Sequence, residues 1–291
     1  MISLKRSAPL PLKKLGRRAS VLVGERTSEV RLLPSFVMAG AQRCGTTSLF
    51  RALIAHPAVL PAVHHKGVNY FDVNYGNGSR WYRGHFPVAA LARARTRGAD
   101  EPVQTFDASG YYVYHPHAAR RMAAELPQVK VVVMLRDPVE RAFSAYKHEV
   151  ARGFETESFE RALELEDQRV GPELERMMGD ESFQGFSHRH HSYRRRGQYA
   201  EQLHRLLEHL PREQLHVVDS DDFFASPAEE LAAVLEFLGL STQMPETFGR
   251  WNARPGSDLP HLVRTRLRRE LEPHDDALTS LLGVVPSWRR G

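Results

Sequence analysis

The sequence predicts an α/β fold: a central parallel sheet flanked by helices on both faces, in a single domain. Short apolar runs alternate with segments of helical spacing, the pattern of strands joined by crossover helices. The run at residues 129–135 is β-branched or apolar at nearly every position, as expected of a strand buried on both faces. A chain of 291 residues with 42% hydrophobic residues can bury one core of that size.

Residues 1–33 are rich in Lys, Arg, Pro and Ser, show little periodicity and read as a basic N-terminal arm, leaving 34–291 as the folded domain. The run 36–39 predicts a buried strand ending in a glycine-containing turn. Leu49, Leu53 and Ile54 then give 46–56 a helical spacing that Pro57 stops. A short strand over 103–107, a helix over 117–125 and the strand 129–135 follow. Pro138 sits at the first turn of a helix running to about residue 151. The charged stretch 154–196 is expected to hold helices and a mobile loop. Helix 198–209, strand 215–218, helix 227–238 closed by Gly239, and helix 259–282 complete the alternation.

The net charge of +5 is carried largely by the two chain ends, so nucleic acid is not an expected partner. Cys44 is the single cysteine, which rules out an intrachain disulfide and points to a reducing compartment. The first twenty residues lack the apolar run of a secretory signal, and no stretch is long and apolar enough to span a membrane. A soluble, cytoplasmic protein is expected.

Gly40-Ala41-Gln42-Arg43-Cys44-Gly45-Thr46-Thr47 places two glycines five apart between a strand and a helix, which makes the sheet P-loop-like. Glycines let successive N–H groups converge on phosphate oxygens, and the positive end of the following helix adds to the attraction. A triphosphatase needs Lys after the second glycine, whereas Thr46 stands there and Arg43 is the loop's only cation. The strongest strand ends in Arg136-Asp137-Pro138, presenting a guanidinium ahead of the acid that would serve Mg²⁺. Both departures point to phosphate binding with no metal required. Arg136, at a strand's C-terminal end, and Ser144, two turns into the next helix, suit a second monophosphate.

Together, the Gly40 loop and the 136–146 segment resemble the 5′-phosphosulfate and 3′-phosphate sites of sulfotransferases that use the donor PAPS (3′-phosphoadenosine 5′-phosphosulfate). The resemblance is closest to bacterial sulfotransferases and the heparan sulfate sulfotransferases. It extends to Lys66-Gly67-Val68-Asn69-Tyr70-Phe71-Asp72, to 107–112 and to Arg196-Gly197-Gln198-Tyr199, covering roughly 34–288. It implies a transferase that moves a sulfuryl group from PAPS to a hydroxyl or amine of a small-molecule or glycan acceptor and releases PAP. Arg43, Cys44, Gly45, Thr46, Thr47 and Ser48 would hold the 5′-phosphosulfate, with Arg43 stabilising charge on the bridging oxygen. Arg136 and Ser144 would hold the 3′-phosphate, and Arg254 and Gly256 would belong to a late loop closing over the nucleotide. A P-loop NTPase, a small-molecule kinase and a non-catalytic nucleotide-binding protein are the competing readings.

The same resemblance places a Glu base where this chain has Gly67. His64, His65 and Asp107 are the nearest replacements, and Lys66 is a candidate for binding the sulfuryl oxygens. The basic stretch 188–196 reads as a mobile loop lining an acceptor cleft. Its histidines lack the spaced acidic or Cys partners of a structural metal site. Trp81, Tyr82, Tyr111 and Tyr112 are candidates for the acceptor pocket.

Overall fold

A computed structural model describes residues 10–96, 101–245, 247–249 and 259–290. Helix α1 (Leu10–Arg26) precedes β1 (Phe36–Gly40) and α2 (Thr46–Leu53). Next come β2 (Val59–Pro61), α3 (Gly78–Arg83), α4 (Ala89–Arg95), β3 (Gln104–Asp107), α5 (Ala118–Glu125) and β4 (Lys130–Leu135). Helices α6 (Pro138–Ala151), α7 (Phe159–Gly179), α8 (Phe186–His190) and α9 (Tyr199–Leu207) lead to β5 (Leu215–Asp219). Helices α10 (Ser220–Ala225), α11 (Pro227–Leu238) and α12 (His261–Leu282) follow.

The five strands form one parallel sheet in the order β2-β3-β1-β4-β5, flanked by helices. Strand β1 is central, with Phe36 opposite Phe106 on one side and Lys130 on the other. From β1 the chain builds outward to β2 and back to β3, then crosses to β4 and β5. The C-terminal ends of β1 and β4 therefore flank the point where connections diverge, the crevice in which open α/β sheets bind ligands.

The apolar content of each strand decides its place. All five residues of β1 are buried, as are all of β4 except Lys130. Each covering helix turns a stripe to the core: Leu49 and Leu53 on α2, Leu203 and Leu206 on α9, Leu231, Val234, Leu235 and Leu238 on α11. Helix α6 starts where Pro138 pre-sets its first turn and Asp137 caps it, accepting from the N–H groups of Val139 and Glu140.

Two segments differ from expectation. Within residues 1–33, the stretch 10–26 forms α1, which packs on α3, and Arg31 then locks the chain by donating to the Phe86 carbonyl at 2.7 Å. The stretch 154–196 is ordered by a second apolar cluster. Phe143, Phe159, Leu163 and Tyr193 meet Val263, Leu267 and Leu271 there. Its charges pair internally: Arg169 with Glu155, and Arg194 and Arg195 with Asp167. The basic run at 188–196 is consequently packed, with His188, His191, Tyr193 and Arg196 buried.

Leu235 is fully buried. Its truncation to Ala is expected to lower the unfolding free energy by about 2–5 kcal/mol, read as a lower urea midpoint at unchanged slope.

Candidate active site

The loop after β1 is held against the sheet by Ala41 N–H donating to the Met134 carbonyl of β4 at 2.8 Å. Arg43 and Gly45 adopt left-handed conformations, with φ of 72° and 87°, so the loop curls before entering α2. A side chain at Gly45 is excluded twice over, because a Cβ there would lie 3.0 Å from the Phe224 ring. The curl puts the backbone N–H groups of the first turn of α2 and the hydroxyls of Thr46 and Thr47 at one end of the crevice.

Arg43 reaches across the crevice, and its Nε donates to Ser144 Oγ at 3.0 Å. Two segments 101 residues apart in sequence thus share one side-chain contact. Arg136 stands at the end of β4 with its guanidinium about a third exposed and 3.9 Å from Glu140. Its backbone carbonyl accepts from the Tyr199 hydroxyl at 2.8 Å, and that hydroxyl also lies 3.8 Å from Cys44 Sγ. Desolvation pushes the Cys44 thiol up to about 11, so it is neutral at physiological pH and serves as packing under the loop. The fully enclosed Arg196 donates to Gln42 of the loop and to the Arg189 carbonyl, and its guanidinium stacks 4.8 Å and 5.0 Å from the rings of Tyr111 and Tyr114.

The opposite wall is the segment after β2. Lys66 Nζ donates to Thr46 Oγ1 at 3.0 Å and to Thr47 Oγ1 at 3.3 Å, which brings a second cation to the loop. Burial draws the Lys66 ammonium down to about 8. Asp107, at the end of β3, accepts from Val68 N–H, Ser109 Oγ and Tyr112 OH at 2.7–2.9 Å. Both of its oxygens are occupied and the residue is fully enclosed, so it acts as a scaffold for the 66–70 turn and not as the base anticipated from sequence. Gly67 is pressed against the same segment, since a Cβ there would sit 2.5 Å from the Ala108 carbonyl oxygen. No larger residue fits that backbone. His64 is turned toward α1, its Nε2 lying 3.0 Å from Ser20 Oγ, while His65 is half-buried next to Lys66.

Two clefts lie among the elements described so far, and the first adjoins the loop residues through Ser48. One of about 360 Å³ runs beside α2 and is lined by Ser48, Arg51, Phe223, Phe224 and Phe248. Its aromatic wall, Phe223 and Phe224, comes from the chain after β5, a stretch that drew no expectation from the sequence. The other, of about 110 Å³, is lined by Val73, Tyr111, His115, Gln184, Arg189 and His190. Of the four aromatics proposed for an acceptor pocket, Tyr111 lines this cleft. Tyr82 and Tyr112 pack instead against Phe71 in the core, and Trp81 rests on His85. The histidines at 188–191 are engaged by protein groups: His188 with Tyr111 at 2.6 Å, His190 with Glu149, and His191 with the Phe154 carbonyl. Gln42, Arg196 and Tyr199 shape the site without having been singled out as site residues. Arg254 and Gly256 lie outside the described residues.

Replacing Asp107 by Asn leaves one acceptor atom for three buried donors. Unfolding free energy is expected to fall by about 1–3 kcal/mol in denaturant titration; unchanged stability would contradict the scaffold role.

Comparison with known proteins agrees with this geometry. The human bifunctional heparan sulfate N-deacetylase/N-sulfotransferase 2 is 28% identical over 89% of this chain, which spans only 31% of that protein's length. Human heparan sulfate glucosamine 3-O-sulfotransferase 5 is 28% identical over 89% of this chain and 75% of its own. The crystal structure of a sulfotransferase from Alicyclobacillus acidocaldarius superposes with a TM-score of 0.64 at 28% identity, covering 89% of this chain and all of that one. The sulfotransferase domain family matches residues 33–255, and the chain belongs to that family.

Proposed function

We propose that this chain transfers a sulfuryl group from PAPS to a hydroxyl or amine and releases PAP. The observation that carries the reading is the Arg43–Ser144 hydrogen bond, which puts a 5′-phosphate loop and a candidate 3′-phosphate pair within reach of one bisphosphorylated nucleotide. The loop residues Arg43 to Ser48 bind the 5′-phosphosulfate, and Arg136 with Ser144 binds the 3′-phosphate. The cleft beside α2 receives the adenine, whose flat face suits the Phe224 and Phe248 rings. Sulfuryl transfer places negative charge on the equatorial and bridging oxygens, as phosphoryl transfer does. Arg43 and Lys66 supply fixed positive charge there, and Lys66, arriving from another segment, stands in for the lysine that the loop lacks. The acceptor is a glycan or small molecule bearing a free hydroxyl or amine, the two nucleophiles named in the heparan sulfate relatives.

An NTPase reading would need ATP with Mg²⁺ to be the preferred ligand. In a thermal-shift series PAP alone should stabilise the protein by about 2.7 kcal/mol at a hundredfold excess over Kd, and by more than ATP with Mg²⁺ at the same concentration. The reverse order would sink the sulfotransferase reading. Arg136→Ala is expected to weaken PAP binding by about 1.5–3 kcal/mol in calorimetry; an unchanged Kd would remove the proposed 3′-phosphate site.

Lys66 predicts a pH dependence. Its amine is protonated below about 8 and loses its charge above, so affinity for the dianionic 5′ end should fall as pH rises through that value. Lys66→Met should bind PAP more weakly with no such step. A wild-type affinity constant from pH 7 to 9 would exclude Lys66 from the anion site.

A further inference from the structure

Helix α1 turns apolar side chains outward. It meets the body through Ser20, whose Oγ lies 3.0 Å from His64 Nε2, and through Gly24, where a Cβ would come within 2.4 Å of the Gly84 carbonyl oxygen. Positions 20 and 24 stand one turn apart and define the inward face. Ala19, Leu22, Val23 and Arg26 occupy the rest of this turn of helix and are exposed, with Leu22 at 56% and Val23 at 55%. A surface helix ordinarily has the reverse order, with its apolar stripe on the core.

The segments joined to α1 continue the pattern. Helix α1 packs on α3, α3 packs on the turn Ser28–Val30, and Arg31 pairs with Val88 at the start of α4. Val30, Leu33 and Leu91 are exposed on these segments, and Val63, next to His64, joins them. Six of the thirteen exposed large apolar side chains among the described residues therefore come from one corner, where an ordinary surface scatters them singly.

Positive charge gathers in the same place. Residues 10–33 and 78–96 hold ten Lys and Arg against two Glu, a surplus of eight in a chain whose net charge is +5. Arg31 and Arg83 spend donors on the backbone carbonyls of Phe86, Arg31 and Glu29 and tie the corner together. Arg26, Arg80, Arg93 and Arg95 are exposed, and Lys13, Lys14, Arg17 and Arg18 precede Leu22 in the sequence of α1.

Cations alone would suit any polyanion. Leucine and valine side chains set among them gain nothing from a nucleic-acid backbone, but they gain burial where hydrocarbon lies just beneath phosphate headgroups. A surplus of eight cations also opposes the docking of this face on its own copy. With four cations between residues 13 and 18, α1 suits the plane of such a surface and not its interior.

We propose that α1, with the flanking segments 28–33 and 89–95, docks the protein on an anionic phospholipid surface. Leu22 and Val23 enter the headgroup boundary and the exposed arginines rest on the phosphates. This docking is independent of the sulfuryl-transfer reading, since none of these residues belongs to the phosphate loop or the Arg136–Ser144 pair.

The test is co-sedimentation of the full chain with vesicles of phosphatidylcholine alone and of phosphatidylcholine mixed with phosphatidylglycerol. The wild type should bind the anionic vesicles at least about tenfold more tightly than the neutral ones, and the preference should shrink as salt is raised. The double variant Leu22→Glu with Val23→Glu should lose about tenfold or more of that binding while keeping its melting temperature and its PAP affinity. A control carrying Val284→Glu and Val285→Glu, exposed apolar residues of another region, should bind vesicles as the wild type does. Equal binding to both kinds of vesicle, or a Leu22/Val23 variant that still sediments with anionic vesicles, would overturn the proposal. A lower melting temperature in that variant would overturn it too, by showing that the chain itself covers the face. So would a dimer in light scattering that the variant dissolves, or tighter binding to duplex DNA than to anionic vesicles. Loss of PAP binding by the wild type would count against the donor reading and leave vesicle binding as its own measurement.

Discussion

The hydrogen bond from Ala41 N–H to the Met134 carbonyl is the last link between the central strand and β4 before the two chains part. Everything at the crevice depends on that parting. Because β1 lies between β3 and β4, the loop that leaves it opens where the connections on its two sides run in opposite directions. The left-handed turns at Arg43 and Gly45 spend backbone strain to keep the loop there, and the non-glycine one falls on the residue whose side chain crosses to Ser144. A loop that could relax into an ordinary extended connection would lose the contact that joins the two phosphate segments.

Around that loop the protein encloses cations in a way that keeps them usable. Arg196 is buried: Nη1 donates to Gln42 and Nη2 to the Arg189 carbonyl, Nε has no partner among the described residues, and the planar face lies against two tyrosine rings. It orients the loop and is not available to a ligand. Arg136 is the opposite case: it keeps its guanidinium a third exposed and only loosely opposed by Glu140. Lys66 lies between them, desolvated enough to fall to about 8 and engaged by two neutral hydroxyls and the face of the Phe50 ring. A neighbouring anion restores the Lys66 charge that burial has weakened.

The alternation of β and α segments, the buried strands β1 and β4, and the capped helices α6 and α11 were legible because each carries its own local signal: an apolar run, a proline at the first turn, a glycine at the end; β5, expected to be buried as well, is buried only at Leu215 and Val218 because it lies at the sheet's edge. The turn between β1 and α2 was legible for the same reason, its glycines marking the place where strand gives way to helix. Helix α1 was not, because its sequence is basic and only its packing on α3 reveals its place. The order within 154–196 was hidden because the signal there is charge, and whether a charge is solvated or paired depends on partners such as Asp167 and Glu149 that no local spacing announces. The aromatic cleft beside α2 was hidden too. Phe224 lies far beyond Gly45 in sequence, and only the sheet order brings the chain after β5 against that loop.

Asp107 shows how one buried group can reassign the roles of its neighbours. In sequence it was one of three candidates, with His64 and His65, to replace the Glu that the resemblance expects at position 67. Its three donors instead turn it into an anchor that draws the backbone of 66–70 onto β3. That pull brings Gly67 so close to Ala108 that no side chain can stand there, and it delivers Lys66 to the loop in the same motion. The missing glutamate and the extra lysine are two consequences of one packing decision. A turn pinned this tightly cannot swing a new carboxylate inward from position 67.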